Sequence, residues 1–179
     1  MPPAAVKTVR DLLYWQYAKI ISNSAGEGKS NYGFIMDRFK KLRSGEIQWS
    51  SSIREYVKEH EERSTCVYCG SSGILTLEHM LPRARGGPDV PENAVWVCAS
   101  CNSRKGSKRL YEWYGLESRN ALPRIAEGKY LKLLYSFHEA RGTLAAVPAD
   151  LCPACDLGAR CPIEGKLSVY CLEGGFVKS

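Results

Sequence analysis

The sequence predicts an α+β fold, and three observations point to it. Apolar residues recur at helical spacing through the N-terminal third, and two short β-rich runs then lie between pairs of cysteines. Helical periodicity returns after the second pair. Eight cysteines fall into two sets of four with none left over, the staples that strands too short to hold themselves require. The rest of the 179-residue chain is ordinary: 44% apolar and 25% charged, enough to bury a core and too apolar for disorder. No apolar run reaches the roughly 18 residues of a membrane span. The first residues lack a basic start followed by an apolar core, so no secretory signal and a reducing, cytoplasmic setting are expected.

The first predicted helix carries Val6, Val9, Leu13, Tyr17 and Ile20 on one stripe, with Gly26 and Gly28 where it stops. A second opens near Asn31 and sets Tyr32, Ile35, Phe39 and Leu42 against a charged face of Asp37, Arg38, Lys40 and Lys41. Gly45 ends it. Ser52 with Glu55 reads as a capping box for a third, reaching about Glu62. From Ser64 the texture changes. Ile74–Leu77 and Ala94–Val97 read as strands, and Asn102–Tyr114 as a helix. After Pro123 an amphipathic helix runs to Gly142 with Tyr130, Leu133, Leu134 and Phe137 on one face. The predicted divisions are a helical region over 1–62, a core over 63–116, an amphipathic helix and linker over 117–147, and a four-cysteine tail over 148–179.

Cys66-x2-Cys69 and Cys98-x2-Cys101, separated by 28 residues, are two knuckles that together complete a tetrahedral zinc site. Cys152, Cys155, Cys161 and Cys171 form a looser second set, for which zinc is the first reading and an iron–sulfur cluster the competitor. Each four-thiolate zinc carries a net charge of −2, so two such sites lower the formal +6 by four, to about +2. Overall charge is then weak evidence for a nucleic-acid partner, and local placement has to supply it.

Between the knuckles lies Leu77-Glu78-His79-Met80-Leu81-Pro82-Arg83, then Gly86-Gly87, Asn93, and Cys101-Asn102-Ser103-Arg104-Lys105. A carboxylate next to a histidine on a strand sends the two side chains to opposite faces, so one can hold a cation while the other handles a proton. Asn102 begins the segment after the knuckle, where its amide oxygen can reach the cation of Glu78. Oxygen donors of this kind suit Mg2+ or Mn2+.

This run resembles the HNH endonucleases, whose fold is a ββα-metal hairpin plus helix, and the resemblance covers roughly residues 64 to 110. It implies His79 as general base, Glu78 and Asn102 as ligands of one catalytic divalent metal, and Asn93 as the brace that orients His79 through backbone hydrogen bonds. Cys66, Cys69, Cys98 and Cys101 become structural zinc ligands. The family usually has Asp or His where Glu78 stands. The implied reaction is hydrolysis of DNA phosphodiester bonds to a 5′ phosphate, as nicking or, through a possible homodimer, double-strand cleavage. The protein would then be nucleoid-associated when bound to duplex DNA.

Local charge has the right sign. Six basic residues and two acidic ones lie from Arg83 to Arg109, and Arg83, Arg85, Arg104, Lys105 and Lys108 are the candidate phosphate contacts. Trp113 and Tyr111 are candidates for base stacking, while Trp96 reads as core because its strand is apolar. His60 reads as solvated surface among glutamates, and His138 as packing or surface. Two rivals remain: a zinc-supported nucleic-acid-binding module that does not cleave, and a nuclease directed at RNA.

Overall fold

The computed structural model describes residues 2–49, 64–163 and 165–175, a mixed helix and strand structure with a two-stranded sheet. The helix predicted over Ser52–Glu62 lies outside the described residues, as does His60. No helix among the described residues is long and apolar enough to cross a membrane. These residues divide into two compact units, 2–49 with 134–175 and 64–133.

In the first unit, α1 (Val9–Ser24) starts at a reciprocal cap. The Asp11 amide donates to the Thr8 hydroxyl, and the Thr8 amide donates back to the Asp11 carboxylate. α2 (Tyr32–Ser44) starts at Asn31, whose side-chain oxygen accepts the Phe34 amide, and ends at Gly45 in the left-handed conformation. Leu12, Leu13, Ile20, Ile35, Phe39 and Leu42 are buried. Trp49 packs against Tyr17 at 4.8 Å and Tyr135 at 4.7 Å between ring centroids.

The second unit holds the hairpin. β1 (Leu75–His79) pairs antiparallel with β2 (Ala94–Cys98), in a register that sets Glu78 opposite Val95 and His79 opposite Ala94. Val95 and Val97 are buried, and Leu77 faces Trp96 on the other side at 51% and 38% exposed. Trp96 therefore does not sit in the core: the strand alternates, and its neighbours Val95 and Val97 take the covered face.

The helix predicted over Asn102–Tyr114 is two helices, α3 (Ala99–Lys105) and α4 (Leu110–Ser118), because Gly106 turns to φ 52°, ψ −134° between them. Gly115, at φ 75°, breaks α4 again. α5 (Arg124–Ala140) begins in this unit, where Tyr130 packs on Tyr111 and Lys129 donates to the Ala94 carbonyl at 2.5 Å.

Candidate functional site

The first knuckle is a tight backbone loop. The Cys66 amide donates to the Ser71 carbonyl and the Gly70 amide to the Cys66 carbonyl, both at 2.8 Å, with Gly70 at φ 73°. The Val67 amide ties the knuckle to the Trp96 carbonyl at 2.9 Å. Cys98 and Cys101 sit at the start of α3. The sulfurs of Cys66, Cys69, Cys98 and Cys101 all lie within 4.8 Å of one another, and Cys69 and Cys98 are 3.8 Å apart. Zinc at ~2.3 Å from each of four tetrahedral sulfurs sets them about 3.8 Å apart, so the cluster fits one zinc ion.

Its surroundings favour thiolates unevenly. The Ser71 hydroxyl and amide draw the Cys69 thiol down to about 6, whereas burial pushes Cys101 up to about 12 despite the Arg104 guanidinium at 3.3 Å from its sulfur. A bound zinc removes the proton from all four.

From this anchor β1 runs to its last two residues, Glu78 and His79. Glu78 is 6% exposed, and its carboxylate is held from two sides. The Lys105 ammonium donates to Oε1 at 2.5 Å and the Tyr68 hydroxyl to Oε2 at 2.7 Å. Lys105 also donates to the His79 carbonyl at 2.9 Å. Burial, then the Glu78 charge, holds the Tyr68 hydroxyl well above its ordinary range, which keeps it a donor. One helical turn back from Lys105, the Asn102 amide nitrogen donates to Thr76 Oγ1 at 3.3 Å. The helix thus meets the strand on two rungs, Lys105 on Glu78 and Asn102 on Thr76.

His79 is on the other side of the strand end, its Nε2 2.9 Å from Asp89 Oδ1, and Arg83 reaches the second oxygen of that carboxylate at 3.5 Å. An ionised carboxylate only accepts, so Nε2 carries the ring proton and Nδ1 keeps its lone pair.

The loop from Met80 to Asn93 owes its shape to one buried amide. Asn93 accepts the Leu81 amide at 2.8 Å and donates to the Leu81 carbonyl at 2.8 Å and the Pro88 carbonyl at 2.9 Å, while its own carbonyl accepts the Met80 amide. Gly87 presses against the same carbonyl: a Cβ there would stand 1.9 Å from Leu81 O. Backbone crowding dictates this glycine.

Glu78 and Asn102 were the candidates for a divalent cation. The Asn102 amide oxygen has no partner among the described residues, so it remains an available oxygen donor. Glu78 does not fit the role as arranged, because a buried ammonium already neutralises its carboxylate and a dication would have to displace it.

The basic candidates divide. Arg83, Arg104 and Lys108 are exposed and Arg85 is half-buried. Lys105 is 1% exposed and spent on Glu78 and His79, which leaves no ammonium for a phosphate. Tyr111 is fully buried, and Trp113 packs edge-on against Tyr68 at 4.8 Å.

Sequence reasoning passed over two members of this site. Asp89 lies ten residues beyond His79 in a glycine-rich loop, and its only signal was a carboxylate beside Gly86-Gly87. Tyr68, inside the first knuckle, gave none.

The C-terminal cysteines belong to the first unit, where His138 is 2% exposed and bonded to Thr143 and to the Leu172 carbonyl.

Residues 66–108 match the family model of the HNH endonuclease, a span that holds the hairpin, both knuckles and α3. No curated protein and no solved structure matches the chain.

Proposed function

We propose that this chain is an endonuclease that hydrolyses DNA phosphodiester bonds, with His79 as general base. The observation that supports it is the His79–Asp89 pair at the end of β1, inside the segment that matches the HNH endonuclease. Asp89 accepts the hydrogen bond from the Nε2 N–H and fixes the ring, which leaves Nδ1 to receive a proton from an attacking water. Asn93 acts one step back by holding the Leu81 backbone, and so the strand end, in place. Arg83, Arg85, Arg104 and Lys108 supply charge for the phosphate backbone without reading sequence.

Mg2+ or Mn2+ stays in this reading on the resemblance of the motif, with Asn102 as the oxygen donor still available. Cys66, Cys69, Cys98 and Cys101 hold a structural zinc. Nicking by a monomer and double-strand cleavage by a homodimer are both compatible with one such core per chain, and association with the nucleoid follows from the substrate.

A second reading, a zinc-supported nucleic-acid binder without cleavage, draws on the Glu78–Lys105 pair, which takes the carboxylate out of service. Supercoiled plasmid incubated with the purified protein and Mg2+, beside His79→Ala and a chelator control, separates the two. Cleavage that needs His79 supports the nuclease; a plasmid shifted on a gel and left uncut by Mg2+ or Mn2+ samples supports the binder. Single-stranded RNA in place of plasmid tests the RNA-directed alternative.

A further inference from the structure

Cys152, Cys155, Cys161 and Cys171 all line one cavity of about 170 Å3, with Arg141 and Lys166 beside them. All four are free thiols. Their arrangement differs from that of the knuckle cysteines. Those four draw their sulfurs within 4.8 Å of one another, whereas among the described residues no three of the C-terminal sulfurs approach so closely.

The two geometries suit different fillers. One zinc pulls four thiolates to about 3.8 Å from each other, nearly in contact, and leaves no space at their centre. The C-terminal set instead borders a volume several times the ~30 Å3 that a water molecule takes in the liquid. An iron–sulfur cluster places irons and sulfides between the thiolates, so its ligands stand apart around a cavity.

The neighbourhood agrees. His138 also lines the cavity, yet both its ring nitrogens are engaged, by Thr143 and by the Leu172 carbonyl, so the ligand set is the four thiolates. Arg141 and Lys166 line the cavity against one carboxylate, Asp150, so its charged lining is net positive and offsets part of the negative charge that four thiolates leave on such a cluster. Gly174 makes room for one ligand, since a Cβ there would lie 2.6 Å from Cys155 Sγ. The spacing alone puts zinc first; the cavity reverses that order.

We propose that Cys152, Cys155, Cys161 and Cys171 hold an iron–sulfur cluster, while Cys66, Cys69, Cys98 and Cys101 hold zinc. The assignment stands apart from the nuclease reading, because it concerns metal content and not cleavage.

The test is elemental and sulfide analysis of the full chain, produced with ample iron, purified without oxygen and reconstituted with ferrous iron and sulfide. The expected content is iron and acid-labile sulfide in about equal amounts and about one zinc per chain, with a broad visible absorption that dithionite bleaches. Cys161→Ser should lose the iron, the sulfide and the colour and retain the zinc. Cys69→Ser should lose the zinc and retain the cluster. About two zincs with no sulfide in the reconstituted wild-type chain overturns the proposal.

Discussion

Lys105 Nζ lies 2.5 Å from Glu78 Oε1, in an ion pair whose side chains are 0% and 6% exposed. The pair fastens α3 to the end of β1, one residue before His79. Removing one partner of such a pair leaves an uncompensated buried charge, at a cost of about 3–5 kcal/mol, whereas replacing both with apolar groups of similar size is often neutral.

Lys105→Met should therefore lower stability by about 3–5 kcal/mol, and Glu78→Met with Lys105→Met, apolar at both positions, should recover part of it, the Tyr68 hydroxyl being left without its acceptor. Urea unfolding at neutral pH reads both. A single variant as stable as the parent would mean that the pair does not hold the helix to the strand.

Gly87→Ala tests the crowding at Leu81. The new methyl meets a backbone carbonyl and not a flexible side chain, so the loop has to shift and the Asn93 bonds have to stretch. A loss of about 1–3 kcal/mol, the usual cost of overpacking, is expected in thermal unfolding. Plasmid cleavage should fall with it, because His79 rides on the same strand end.

His79→Ala should lower the cleavage rate by about 10²–10⁴ while zinc content and melting temperature stay as in the parent. Asp89→Asn should slow turnover by less and leave KM in place, since an amide still accepts the Nε2 proton but no longer stabilises the charged ring. Zinc lost from His79→Ala would show that the ligand assignment is wrong.

Cys66→Ser should release zinc and unfold the unit around the hairpin, because a two-stranded sheet is marginal without its metal. Zinc content and the near-ultraviolet dichroism of Trp96 and Trp113 measure the two effects. A folded variant that retains zinc on three thiolates would contradict this.

Alkaline pH gives a further test. Burial, helped by Tyr135, raises the Tyr14 hydroxyl to about 12, and burial raises Tyr114 to about 12 as well. The folded state holds these protons more tightly than the unfolded chain, so their contribution is complete below pH 10 and is lost as pH rises from 10 toward 12. Tyrosine absorbance should show these groups ionising together with unfolding, above the ordinary tyrosine range.

Much of this is legible in the amino-acid sequence. Asn31 and Gly45 bracketed α2 because a side-chain cap and a left-handed glycine are local devices, and the paired knuckles announced a metal site through spacing alone. Less legible were relations between distant segments. Lys105 read as a free cation because nothing near it in sequence foretells a carboxylate 27 positions away. Trp96 was misplaced because an all-apolar strand hides its own alternation, and Gly106 looked compatible with a helix until its backbone angles were seen. Asp89 came into the site only through the fold of the loop.

The Asn93 side chain closes the mouth of that loop at Leu81, so its two ends stay side by side whatever happens farther out. The same loop carries Asp89, so a change in its length shifts the carboxylate that meets His79 while the backbone at Leu81, held by Asn93, stays in place. The loop thus separates two tasks, keeping the strand end fixed at its mouth and setting the histidine's partner farther out.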